Sequence, residues 1–169
     1  MAFYPETTKQ ATASVGLGFR TERTDLATVV WAAGPVSLFT ITGGNIMVNL
    51  LRAEIEVAAI AVVAGVPRYG ITTAAPYAAA TVYFSAASGT VSAYAIGSSV
   101  TVVGTALNTA ALEQPTIGPT LIGVAASLIL TPGIVMVTNA QAVTGTATCV
   151  IRHQMWWWPM DDGSTVVAS

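Results

Sequence analysis

Charge is what this 169-residue chain has least of. Six Lys and Arg and eight Asp and Glu make up 8% of the residues, against about 25% in an ordinary soluble domain. A folded monomer of 17.3 kDa exposes roughly 7,800 Å², and fourteen charged side chains cannot cover it. The surface must be largely Thr, Ser, Ala, Gly and apolar groups, which points to cover by other subunits. A single lysine, Lys9, and five scattered arginines leave no basic stripe for phosphates, so direct nucleic-acid binding is not expected. Cys149 is the only cysteine, which excludes an intrachain disulfide and a cysteine-built zinc site and suits assembly in a reducing cytoplasm.

Mean hydropathy is high, +0.67, and residues 117–138 carry no charge. Gly118, Pro119, Gly123, Pro132 and Gly133 interrupt that run among β-branched residues, so it reads as short strands and not as a bilayer-spanning helix. The opening MAFYPETTKQ lacks a basic start followed by an apolar core, so no secretory signal and no membrane anchor are expected.

Residues 1–25 hold six of the fourteen charges and read as an extended N-terminal arm, with Phe3, Tyr4, Leu17 and Phe19 as apolar anchors on a neighbouring subunit. Residues 26–169 read as one all-β domain, a β-sandwich or jelly roll. Strands are expected over 26–32, 36–42, 46–64, 78–86, 90–96, 100–105, 121–131, 134–138 and 145–158, with an Asp161-Asp162-Gly163 turn into a short strand around Val166. Within 46–64, Met47, Leu51, Ala53, Ile55 and Val57 fall on one face and Arg52, Glu54 and Glu56 on the other, the period of a strand. The Ala-rich 57–64 stretch also suits a short helix. In the last long strand, Ala147, Cys149, Ile151, Met155 and Trp157 form an inner face opposite Thr146, Thr148, Arg152 and Gln154.

Catalytic chemistry finds little support in these residues. On one strand, Cys149 and His153 share a face but stand about 13 Å apart, too far for a nucleophile and its base. A buried Cys and a hydrogen-bonded or interface His are expected instead. Glu54 and Glu56 stand about 7 Å apart, within the span of inverting glycosidase carboxylates. Catalytic pairs flank substrate from different elements, however, and Arg52 offers a plain charge partner. Asp161 and Asp162 lack the further oxygens that calcium needs, and Gly16-Leu17-Gly18 lacks the third glycine of a nucleotide fingerprint. No catalytic residue, metal or cofactor is expected. Trp156-Trp157-Trp158-Pro159 is the least ordinary run. Trp157 points to one side of a strand and Trp156 and Trp158 to the other, which makes the run a sandwich core with a rim, or the latter two interface candidates or stacking surfaces for a sugar.

Two segments, Ser37-Leu38-Phe39-Thr40-Ile41-Thr42-Gly43-Gly44 and the Trp-rich C-terminal stretch 144–169 ending in Asp-Asp-Gly-Ser-Thr-Val-Val-Ala-Ser, resemble virion proteins of tailed bacteriophages, in particular small head proteins. The resemblance implies a capsid decoration or cement protein with a β-sandwich or jelly-roll fold, made in the host bacterial cytoplasm and bound in many copies to the major capsid protein on the virion surface. Copies of itself, as a trimer or dimer, are the second expected partner. A tail, neck or head-fibre component is the structural alternative. A carbohydrate-binding sandwich using Trp156 or Trp158, with Glu54 and Glu56 as polar contacts, is the alternative of a different class.

Overall fold

The computed structural model describes residues 18–26, 35–57, 66–73, 82–86, 95–102, 109–110, 112–114, 128–139 and 150–169. All regular structure among them is strand: β1 (Phe19–Leu26), β2 (Val36–Thr42), β3 (Ile46–Val57), β4 (Pro67–Thr72), β5 (Val82–Tyr83), β6 (Ser85–Ala86), β7 (Ser99–Val102), β8 (Thr109–Ala110), β9 (Leu112–Gln114), β10 (Leu128–Leu130), β11 (Gly133–Asn139), β12 (Val150–Pro159) and β13 (Thr165–Ala168). One antiparallel sheet runs β1-β12-β3-β7-β9, with β10 beside the first part of β3, and a second runs β13-β2-β11-β4-β5. β6 and β8 form a small parallel pair.

The two large sheets make a β-sandwich. Ile46, Val48, Leu51, Ala53, Ile55, Ile151, Met155 and Trp157 from the first sheet share one buried cluster with Phe39, Ile41, Tyr69, Val135, Val137 and Val166 from the second. Each of these side chains removes apolar area from water at roughly 25 cal/mol per Å², and that burial fixes the register of every strand that contributes.

The first strand departs from expectation. Residues 19–25 are not arm: Phe19–Leu26 pairs along its whole length with β12, from Phe19 opposite Trp157 to Leu26 opposite Val150. Phe19 is 9% exposed and lies in the core, so it is not a free interface anchor. Its ring lies 5.3 Å from that of Trp157 and 5.7 Å from that of Trp158. Arg23 and Asp25 hide the strand period, because charges occupy its inward positions as well as its outward ones. Residues 27–32, like 58–64, 78–81, 90–94 and 145–149, fall outside the described residues, as does the remainder of the arm with Phe3, Tyr4 and Leu17. Ile96 lies not in a strand but in a turn closed by Ser98 N–H donating to Ala95 O at 3.1 Å.

The face assigned to Met47 is also corrected. Trp156 stands opposite Leu50 and Trp157 opposite Val48, so Asn49 is an extra residue on β3. Such a bulge shifts the alternation by one place. Ile46 and Val48 point inward before it and Leu51, Ala53 and Ile55 after it, while Met47 turns to the outer face with Arg52, Glu54 and Glu56.

Among the described residues, segments 37–44 and 150–169 are neighbours in space. β13 pairs with β2 from Thr165 opposite Thr42 to Ala168 opposite Phe39, and the β2–β3 turn docks on the β12–β13 turn. Asn45 N–H donates to Asp161 Oδ2 at 2.7 Å, and Ser164 Oγ donates to Asn45 O at 2.9 Å. Gly43 has φ +81°, and a Cβ there would collide with the Gly163 carbonyl. Gly163 has φ +85° with open space beside it. Gly163→Ala is therefore expected to cost only the backbone term, about 1 kcal/mol, measured by chemical denaturation.

Candidate functional site

The outer face of the first sheet gathers most of the described charges and the exposed tryptophan, and strand register lays them out in rows. At one end, Ile129, Met47 and Trp158 stand side by side across β10, β3 and β12. Ile129 is 57% and Trp158 38% exposed, and Met47 is half-buried. The next row is Leu50, Trp156 and Arg20. Leu50 is buried on this outer side and Trp156 is half-buried. Trp157 points the other way, into the core, and donates from Nε1 to Thr21 Oγ1 at 3.0 Å.

Beyond this apolar end the rows are polar: Thr101, Arg52, Gln154, Glu22, then Ser99, Glu54, Arg152, Thr24. Arg152 lies 3.0 Å from Glu54 and 3.0 Å from Glu56, and Arg52 lies 3.4 Å from Glu54. Gln154 Nε2 donates to Glu22 Oε2 at 2.9 Å, and Arg20 stands 3.6 Å from Glu22. The hydrogen bond to Glu54, reinforced by the charges of Glu56, Glu54 and Glu22, holds the Arg152 guanidinium charged beyond its ordinary range. Three arginines and three glutamates thus neutralise one another on this face. Glu54 and Glu56, bound to one guanidinium, are ion-pair partners in the geometry, and sequence reading had missed Arg152 as the residue that joins them.

His153 lies on the opposite side of β12, wholly buried. Its ring meets Tyr69 edge-on with centroids 6.2 Å apart. Neither ring nitrogen of His153, nor the Tyr69 hydroxyl, has a hydrogen-bond partner among the described residues. It is therefore neither the hydrogen-bonded nor the interface histidine expected from sequence. Burial is the main cause that lowers the imidazole from 6.5 to about 4, and Arg23 lowers it further while Asp25 opposes. Burial also pushes the Tyr69 phenol up. Cys149 lies outside the described residues.

A second polar cluster went unread in the sequence. Arg23, on the inward side of β1, pairs with Asp25 and donates to the Ser37 and Ser169 carbonyls. It joins the edge of the first sheet to β2 and to the residue that follows β13 in the second. Asp161 holds the Asn45 amide, as a turn residue does. Among the described residues no group of three His, Cys, Asp or Glu side chains is placed to hold a metal ion, and no helix is long and apolar enough to cross a membrane. Comparison with protein-family models, with curated proteins and with solved structures gives no match.

Proposed function

We propose that this chain is a non-enzymatic structural subunit of a tailed-bacteriophage virion, a decoration or cement protein that binds the major capsid protein in many copies on the head surface. The observation that carries the reading is the outer face of the first sheet. An apolar row, exposed Ile129 and Trp158 on either side of half-buried Met47, borders a field of arginines and glutamates already paired with one another. Such a face offers desolvation and shape to a protein partner, and little free charge to a small ionic substrate. The low charge of the chain and the resemblance of its β2 and C-terminal segments to phage head proteins support the same reading. A tail or neck position would use the face in the same way.

Co-sedimentation with undecorated shells tests it. Trp158→Ser is expected to weaken binding by about 2 kcal/mol, the scale of an interfacial tryptophan, with the circular dichroism spectrum unchanged. Removing residues 1–17, which leaves β1 intact, is expected to weaken attachment without altering the melting curve. Full-length protein that ignores shells would refute the capsid assignment. Trp156 and Trp158, two positions apart on one face, favour a second reading as a glycan-stacking surface. A saccharide preference on a glycan array, lost in Trp158→Ser, would select that reading over the first.

A further inference from the structure

β1 is the edge of the first sheet, and no described strand lies on its far side. An open edge pairs with any strand that can match it unless its side chains forbid the match. Proteins usually protect edges with charge, above all lysine, so that like charge meets like charge when two copies approach. β1 carries a different arrangement, Phe19-Arg20-Thr21-Glu22-Arg23-Thr24-Asp25-Leu26.

When two copies of an edge strand pair about a twofold axis normal to the sheet, the strands run antiparallel and the outer face of one continues that of the other. Outward residues then meet outward residues, so the axis must pass through a residue position. An axis at Arg20, Glu22, Arg23 or Asp25 sets that charge directly against its own copy. An axis at Thr24 brings Arg23 opposite Asp25, but both side chains are already engaged with each other, and Arg23 also holds the Ser37 and Ser169 carbonyls. An axis at Thr21 brings Arg20 of each copy opposite Glu22 of the other, twice. These side chains are 49% and 34% exposed and lie 3.6 Å apart within one strand, so the pairing converts two local ion pairs into one four-charge network.

We propose that β1 is a self-association edge, at which a second copy of this chain adds antiparallel with Thr21 on the twofold axis and Arg20 facing the partner's Glu22, joining two sandwiches through one continuous sheet. A second copy is the occupant because the Arg-Thr-Glu order supplies its own complement, whereas a foreign strand would need that order by coincidence. The inference extends the reading of the chain as an assembly subunit, and the purified protein tests it alone. Shell binding without a dimer would sink this inference and spare the capsid reading. A dimer indifferent to shells would do the reverse.

The experiment is sedimentation of the full chain over a concentration series. Wild type is expected to form a dimer. R20E and E22R each place two like-charged pairs across the axis and are expected to weaken association by about tenfold or more, with strand content and melting curve checked alongside. R20E/E22R restores two opposite-charge pairs and is expected to return to wild-type association. Arg20→Gln removes attraction without adding repulsion and should fall between wild type and R20E, which keeps the test valid if a charge reversal misfolds. A monomeric wild type, single variants that dimerise as well as wild type, or a double variant no better than the singles would each overturn the assignment.

Discussion

Replacing Arg23 by methionine is expected to lower the folding stability by about 3 kcal/mol, the scale for removing one partner of a largely buried ion pair. Arg23 and Asp25 side chains are 16% and 18% exposed. The guanidinium satisfies the Asp25 carboxylate and two main-chain oxygens at once, those of Ser37 at the start of β2 and of Ser169 just past β13. Methionine fills similar volume and keeps the apolar stem, so the variant isolates the polar head. It leaves Asp25 charged without its partner, and it leaves the part-buried Ser37 carbonyl without its donor, while the exposed Ser169 oxygen turns to water. Removing the acid as well, in Arg23→Met/Asp25→Leu, should recover a large part of the loss, because an apolar pair of like shape carries no orphaned charge. Chemical denaturation of the three proteins measures this. If Arg23→Met unfolds within 0.5 kcal/mol of wild type, taken as roughly the range of an ordinary surface substitution, the bridge between sheets contributes nothing.

That bridge also shows where sequence reading stopped. β2 was legible from end to end because Pro35 and Gly43-Gly44 bound a run of β-formers, and the observed strand is Val36–Thr42. The inner face of β12 was legible through Ile151, Met155 and Trp157, which keep the two-residue period on either side of the buried His153. β1 was not legible, because Arg23 and Asp25 stand where apolar residues mark an inward face, and only the sandwich supplies the carbonyls that make those charges tolerable. Nor was the apolar row. Met47 reaches the outer face through the bulge at Asn49, and Ile129 joins it through a pairing eighty-two residues distant in sequence, which is a property of register and not of either segment. The Glu54 pairing with Arg52 was visible at two-residue spacing, but Arg152 arrives from the neighbouring strand. Local alternation records which way a side chain points, and tertiary register decides what it meets.

His153 gives the stability a pH dependence whose sign follows from its burial. It is the only histidine in the chain, fully enclosed between β12 and Tyr69 of the facing sheet, and burial lowers its folded-state value from 6.5 to about 4. Above pH 6.5 the imidazole is neutral in both folded and unfolded chains, and its contribution is fully present. Between pH 6.5 and pH 4 the unfolded chain takes up a proton that the folded chain refuses, so stability falls as pH falls. The loss is about 1.4 kcal/mol per unit and reaches about 3 kcal/mol by pH 4. Below that both states are protonated and the contribution is flat. The ionisable groups facing the ring are Tyr69, whose burial keeps it protonated, and the Arg23–Asp25 pair, whose two charges act on the imidazole in opposite directions. Since neither ring nitrogen has a hydrogen-bond partner among the described residues, His153→Leu removes no such bond. It is expected to stay within about 1.5 kcal/mol of wild type at pH 7. Urea unfolding at pH 7, 5.5 and 4 should show a loss on acidification about 3 kcal/mol smaller in the variant than in wild type, with the carboxylate contributions common to both cancelling. Because no second histidine overlaps its signal, NMR titration of wild type should also place the imidazole midpoint near 4. Parallel acid losses in the two proteins, or a midpoint at the ordinary 6.5, would mean that the ring reaches water in the folded state and that the sandwich is open at its centre.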